Sequence, residues 1–433
     1  MTNDKNSKKK PLIGFFPLFY NLAETGRAVS IAKWYEKNDG KAIFFSHGGN
    51  YEYLAKEYGF EVYKVDNIFT KDFVKRFVSI IRRERKGKLL STEFLKKAVQ
   101  NEINAFKKKD VKLIVTTHNF FSFISAKAAK IPLVCVTTEP GKFHFSIPDM
   151  YENILTRAIP KPIKIPMFNW LNTHSKKYVR IYNSVAKSFN IQPFKTTIQI
   201  GDGDYTFATN FLEFINIFPN QQRLPSENYI GIILLENLFK NTFSEKQVGD
   251  INNRIERFIK KPGKTILLSM GSSGNKTLFQ NILNTLEKTN HKTIAIYANI
   301  LDDDDIDKFG EKILLEKFVP SIAYIHKKVD LSIIHGGQGT VFSAAYAGKP
   351  IIGFPMQYEQ HLNLEKMVGH GSGIMLSKKF FSDKKLLSSI DYIFKNYDRF
   401  LTKAKILAEK LPEPRGAKNA AEKIIEITEN LDL

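Results

Sequence analysis

A single cysteine, Cys135, in 433 residues rules out an internal disulfide. It lies in the apolar run Pro132 to Val136, which predicts a buried thiol in a reducing compartment. No cluster of residues has zinc-ligand spacing, and no metal or other cofactor is expected. No apolar run approaches the ~18 residues that a membrane-spanning helix needs. Residues Met1 to Lys10 are polar and lysine-rich, without the apolar core of a secretory signal. These absences predict a cytoplasmic protein. Acid is also in short supply: 44 Asp and Glu stand against 65 Lys and Arg, a net charge of +21. Such an excess suits nucleic acid, an anionic membrane surface or an anionic substrate. The chain has no nucleic-acid-binding motif and its basic residues are spread along its length, which argues against nucleic acid. A membrane surface, an anionic substrate and a lysine-rich proteome remain.

What the chain does contain is a short-period alternation of strand and helix patterns. Pro11 to Phe16, Lys41 to Ser46, Phe60 to Val65, Val111 to Thr116 and Pro132 to Val136 read as strands. Helical stretches such as Ala28 to Lys37 and Tyr51 to Tyr58 fall between them. This order predicts a parallel sheet covered on both faces by helices. A chain of this length allows two or three domains. The polar stretch from Glu236 to Pro262 reads as a linker. It separates residues 11–240 from residues 241–433, which begin on the strand Thr265 to Met270. Pro- and aromatic-rich text from Thr137 to Asn190 predicts loops and short helices. Phe73, Val74, Phe77, Val78, Ile80 and Ile81 recur at near-helical spacing before a dense basic run, Arg82 to Lys88. That segment is either a core-covering helix or an amphipathic face for anionic lipid. Asp302 to Asp305 lacks an EF-hand pattern and reads as a solvated loop.

The densest chemistry lies near the C-terminal end. An apolar run, Val329 to Ile334, is followed by His335, Gly336, Gly337, Gln338, Gly339 and Thr340, then by a helix start. Glycines permit close backbone approach, and N–H groups at a helix N-terminus favour an anion. His335 and Thr340 add two side-chain donors. The turn Gly271-Ser272-Ser273-Gly274-Asn275, after Thr265 to Met270, offers further N–H groups. Beyond the next short strand stand Glu359, Gln360, His361 and Asn363, a set able to donate to and accept from sugar hydroxyls.

His-Gly-Gly-x-Gly-Thr, then Ala347-Gly348-x-Pro350, then Pro355-x-x-x-Glu359-Gln360-x-x-Asn363 resembles the donor-site signature of inverting UDP-glycosyltransferases of the macrolide and lipid type. The resemblance implies the GT-B fold, two Rossmann-like α/β domains facing each other across a cleft. It implies an acceptor-binding first domain, a nucleotide-sugar-binding second domain, and a last helix that returns to the first. It assigns His335 and Thr340, with the turn Gly336 to Gly339, to the phosphates of a UDP-sugar, and Ser272 and Ser273 to a loop facing them. Phe318 and Val319 would flank the base, with His326 in the same loop region, and Glu359 and Gln360 would hold the hexose. Relatives of the plant type carry a ribose-binding acid where this chain has Ser343. Their catalytic histidine falls at Glu24, within Ala23-Glu24-Thr25-Gly26-Arg27, and their orienting aspartate falls near Thr117-His118. Glu24 is therefore the expected base, with His118 alongside. The implied reaction moves a hexose to a hydroxyl of a lipid or small apolar acceptor, without metal, at a position peripheral to the inner membrane face if the positive charge serves lipid. A nucleotide-sugar epimerase and a catalytically silent sugar-nucleotide-binding protein are the alternatives.

Overall fold

The computed structural model describes residues 11–431 except 82–83, 88–89, 139–143, 149–150, 153, 218–220, 236–237, 239–242, 272–273 and 299. The first half runs β1 (Leu12–Phe15), α1 (Leu22–Lys37), β2 (Lys41–Ser46), α2 (Glu52–Glu57) and β3 (Glu61–Lys64). Two longer helices follow, α3 (Lys71–Ile81) and α4 (Thr92–Lys109), before β4 (Leu113–Thr116), α5 (Ser122–Ala129) and β5 (Leu133–Thr137). Next come α6 (Ile154–Ala158), α7 (Lys161–Thr173), α8 (Val179–Ser188), β6 (Tyr205–Ala208) and α9 (Leu212–Ile215).

The second half opens with α10 (Glu245–Ile259), β7 (Thr265–Ser269), α11 (Lys276–Glu287), β8 (Lys292–Ile296) and β9 (Ile313–Glu316). It continues through α12 (Ile322–Lys328), β10 (Leu331–Ile334), α13 (Gln338–Tyr346), β11 (Ile351–Gly353) and α14 (Tyr358–Gly369). β12 (Gly373–Met375), α15 (Asp383–Lys395), α16 (Tyr397–Lys410) and α17 (Gly416–Asn430) complete it.

The strands form two six-stranded sheets, ordered β3-β2-β1-β4-β5-β6 and β12-β11-β10-β7-β8-β9. Every described pairing between these strands is parallel. Strands such as Leu113–Thr116 and Thr265–Ser269 are buried throughout, as helices on both faces require. The strand order reverses between β1 and β4 in one sheet and between β7 and β10 in the other. In open α/β sheets a ligand crevice forms beyond the carboxyl ends of such a strand pair. Both reversals carry the site described below.

Two expectations change. α1 starts at Leu22 rather than Ala28, because the Asn21 side chain caps it, accepting from the backbone N–H of Ala23 and Glu24. The polar stretch 236–262 contains α10, held by a capping box between Ser244 and Gln247 and burying Ile251, Ile255 and Phe258. Its apolar residues lie on one side of a largely charged helix, so composition alone hides it. After β6 the chain adds an isolated parallel bridge, Ala208 to Tyr229. The Arg82–Lys88 run falls partly outside the described residues, but α3 buries Phe77 and packs Phe73 and Val74 on the core formed with α4 and α8. Asp302 and Asp305 cap a short 3-10 helix and pair with Lys276.

The chain crosses between the halves a second time. Ala420, Ala421, Ile424 and Ile427 of α17 belong to the same core as Ile13, Phe15 and Val29. The Gly416 N–H donates to Ile232 O at 3.0 Å, and a Cβ on Gly416 would stand 2.3 Å from Gly231 O.

Candidate active site

On the first sheet's side, the Asn21 cap brings Glu24 into the first turn of α1, beyond the end of β1. Glu24 is 9% exposed; its Oε1 accepts from Asn21 Nδ2 at 3.1 Å, the Leu18 N–H also favours the charged carboxylate, and its buried Oε2 makes no close hydrogen bond among the described residues. Burial pushes its pKa up to about 8, with Arg27 opposing the shift and Glu359 of the second domain adding to it. Arg27, also buried, donates through Nη1 to Gln338 Oε1 at 3.5 Å. A carboxyl group in this state can take a proton near neutral pH.

His118 lies beyond β4 with φ of 102°, a conformation costly for a residue with a Cβ. The loop is held on every side. Thr116 Oγ1 accepts from the N–H groups of His118 (3.2 Å) and Asn119 (2.7 Å), and Thr117 Oγ1 donates to Glu24 O at 3.0 Å. Asn119 Nδ2 donates to Glu102 Oε1 at 2.8 Å. His47 donates to Glu102 through Nε2 (2.8 Å) and to Asp66 through Nδ1 (2.6 Å). Burial disfavours charge on His47, but the two carboxylates prevail and raise its pKa to about 9. His118 is exposed. Desolvation by its protein surroundings, together with Arg27, lowers its pKa and favours the neutral imidazole. Thr117 thus ties the His118 loop to the backbone of Glu24.

On the second sheet's side, His335 follows β10 and is buried. Gly336 has φ of 93°, and a Cβ there would lie 2.5 Å from Gln360 O, so glycine is required. The His335 ring sits against two more glycines: a Cβ on Gly271 would meet Cε1 at 2.6 Å, and one on Gly337 would meet Nε2 at 2.5 Å. Gly339, by contrast, faces open space, and Thr340 beside it is half-buried. Together they form the first turn of α13, with its free N–H groups.

Two residues assigned to the donor have other commitments. The Gln338 side chain points to the first domain: Nε2 donates to Thr209 O at 2.5 Å, while Oε1 accepts from Arg27 and from Thr209 Oγ1 (3.3 Å). Gln360 Oε1 accepts from Met356 N at 2.9 Å, leaving its amide nitrogen for a ligand. Glu359 is half-exposed in the first turn of α14. Phe318 is 48% exposed, and Val319 packs at the rim of the core around α10. Ser272 and Ser273 lie outside the described residues. His326 is a core residue, bonded through Nδ1 to Ser332 Oγ at 2.8 Å and held neutral by burial, which pushes its pKa down to about 3. Ser343 is buried in α13.

A second interdomain cluster escaped the sequence reading. Glu365 Oε1, on α14, accepts from Phe145 N (2.7 Å), Ser146 N (2.5 Å) and Ser146 Oγ (2.8 Å) of the first domain. His361 Nε2 donates to Ser146 Oγ at 2.9 Å. Tyr358 donates to His144 Nε2 at 2.5 Å and accepts from Asn172 Nδ2 at 2.8 Å. The one available signal was the i, i+4 spacing of His361 and Glu365, which is common on any helix. A cavity of about 480 Å³ opens beside this cluster, between Asn275 and Thr277, Met356 and Gln357, and Glu84 and Pro148 of the first domain. Glu24, Gln338 and His335 are not among its walls. Among the described residues no group of His, Cys, Asp and Glu could hold a metal ion. None of the described helices is long and apolar enough to cross a membrane.

Two Rossmann-like domains that meet over a glycine turn and a buried carboxyl define the GT-B class, and solved structures agree. The chain is similar to the spinosyn forosaminyltransferase SpnP (TM-score 0.62, 13% identity), covering 97% of this chain and 99% of that one. It is likewise similar to MurG of Acinetobacter baumannii (TM-score 0.57, 11% identity, 96% and 99% covered). Residues 265–424 match the glycosyltransferase family 28 C-terminal domain. The chain therefore has the GT-B fold, and its second domain is similar to the glycosyltransferase family 28 C-terminal domain. In sequence it is 21% identical over 258 residues to the uncharacterized UDP-glucosyltransferase YojK of Bacillus subtilis, covering 58% of this chain and 59% of that protein. To the NDP-glycosyltransferase YjiC of the same organism it is 21% identical over 224 residues, 47% and 57% respectively. The chain thus matches under two thirds of these relatives' length.

Proposed function

We propose that the protein is an inverting glycosyltransferase that moves a hexose from a UDP-sugar to a hydroxyl of a lipid or small apolar acceptor. The observation that carries this reading is the placement of Glu24, a buried carboxyl with one oxygen that makes no close hydrogen bond and a pKa near 8, next to the interdomain tie at the head of α13. The acceptor hydroxyl gives its proton to the Glu24 carboxylate as its oxygen bonds the anomeric carbon. The bond from that carbon to the diphosphate oxygen breaks on the opposite face, and its electron pair leaves with UDP. One displacement inverts the centre. The N–H groups of α13, with His335 and Thr340, meet the charge that develops on the diphosphate, so this reading needs no metal. Exposed Phe318 offers a face for the uracil, and Glu359 with the Gln360 amide nitrogen offers partners for the sugar hydroxyls. The UDP- and NDP-sugar names of the Bacillus relatives support the donor class.

The test is incubation with radiolabelled UDP-sugars and a lipid extract, followed by NMR of the product's anomeric configuration. Transfer with inversion supports the reading. Interconversion of the donor sugar, retention of configuration, or binding without turnover would each sink it.

A further inference from the structure

Helix α7 is amphipathic in the wrong sense for a globular protein. Ile163, Met167, Trp170 and Leu171 recur at spacings of four, three and one, so they share one side of the helix. That side faces solvent: Ile163 is 62% exposed, Trp170 61% and Leu171 51%. Leu155, on the neighbouring α6, is 81% exposed. The polar side faces the protein instead. Lys164 Nζ pairs with Glu152 at 2.9 Å. Asn169 makes a reciprocal pair with the backbone of His144 (2.9 and 3.1 Å), and Asn172 reaches Tyr358. These bonds fix the rotation of the helix, so the outward apolar face is built in. Leaving several large apolar side chains in water forfeits the burial that each would otherwise gain, and a contiguous patch of this kind marks an interaction surface.

The charge around the patch has one sign. Between Glu152 and Asp202 the chain has no acidic residue and eight lysines and arginines. Lys176, Lys177 and Arg180, which follow α7 in the chain, are exposed. Apolar side chains ringed by cations, with an exposed tryptophan among them, match the interface of an anionic bilayer.

We propose that α6 and α7 dock the protein on an anionic lipid surface, with Leu155, Ile163, Met167, Trp170 and Leu171 entering the headgroup region. The proposal rests on the transferase reading for its purpose and sharpens it: the acceptor is a membrane lipid that never leaves the bilayer fully. A second cavity, about 200 Å³, lies between the inner side of α7 (Lys161, Lys164, Ile165) and the second domain (Pro355, His361, Leu376). A lipid head lifted from the docked surface enters beside α14, which carries Glu359. The docking helix we assign is therefore α7 rather than α3, whose Phe77 is buried and whose Phe73 and Val74 pack partly on the core.

Vesicle flotation of the full chain tests this without donor or acceptor, using phosphatidylcholine alone and with a third of phosphatidylglycerol. Binding should require the anionic lipid and fall with salt. Brominated acyl chains should quench tryptophan emission, and Trp170→Phe should remove most of that quenching. Ile163→Ser and Trp170→Ser, both at exposed positions, should each lower partitioning about tenfold while UDP affinity stays unchanged. Equal binding to neutral vesicles, or loss of binding only when Lys75 and Arg76 on α3 are neutralised, would overturn the proposal. So would a lipid-free dimer that Trp170→Ser converts to monomer, since a second copy would then cover the face. A chain that floats but does not bind UDP would leave docking intact and refute the transferase reading.

Discussion

Glu359, at the head of α14, raises the pKa of Glu24, at the head of α1, although the two carboxyl groups belong to different domains. Whatever separates the domains therefore changes the basicity of Glu24, and whatever closes them restores it. The pH dependence of turnover should record this coupling. Below a pKa of about 8 the base is mostly protonated, so kcat/KM should rise about tenfold per pH unit and level off above that value. Removing a like charge lowers a carboxyl pKa, so Glu359→Gln should move the rising limb to lower pH. A limb that stays in place would separate Glu359 from the base.

Glu24→Gln should cost about 10²–10⁴-fold in kcat, the usual worth of a general base, with donor affinity kept. His118→Ala should cost less, since its imidazole is neutral but held aside in a strained loop. Single-turnover assays of both variants decide the order. If His118→Ala loses more, the roles of the two residues are exchanged.

The glycines around His335 should behave unequally. His335→Ala should weaken UDP binding by about 1–3 kcal/mol, the range for hydrogen bonds to charged groups. Gly337→Ala should do nearly the same damage, because its Cβ would fall 2.5 Å from the imidazole Nε2 and expel the ring. Gly339→Ala meets nothing in the free protein. It should raise thermal stability by up to about 1 kcal/mol as a helix residue, yet hinder UDP if that open space is the donor's. Calorimetry and melting curves on the three variants separate these effects.

The His47 network predicts a pH window for stability. His47 has a folded pKa raised to about 9, so its contribution is complete below about 6.5 and lost as pH rises through 9. Asp66 is held below the usual carboxylate value, chiefly by its bonds and charge interaction with His47 against the opposing cost of burial. Its contribution is present above about 4 and lost as pH falls through that lowered value. Denaturation midpoints should therefore peak between about pH 4 and 6.5 for this network, and His47→Gln should flatten the profile. An unchanged profile would mean that His47 is neutral.

The parallel sheets and the glycine turn before α13 were legible because each needs only local text: an apolar run, a turn and a helix start. That Glu24 follows the first strand was legible too. Its burial was not, because Glu359, which adds to its raised pKa, and Gln338, bonded to the nearby Arg27, belong to the other domain. The Glu365–Ser146 clasp joins a helix to a loop more than two hundred residues earlier, and neither partner sits in a motif. Helix α10 was hidden by its charged surface. In α7, Pro162 and Pro166 read as breakers, yet Pro162 falls in the first turn and Pro166 is accommodated inside the helix.

Because α17 completes the core around β1, the first domain is assembled from both ends of the chain. During synthesis Ile13, Phe15 and Val29 are made early, but their partners Ile424 and Ile427 emerge only after the whole second domain. At ~5–20 residues per second the delay after β6 is on the order of ten to forty seconds. Over that interval the nascent first domain must persist with an open apolar groove. The last part of the first domain's core is thus translated only after the whole second sheet.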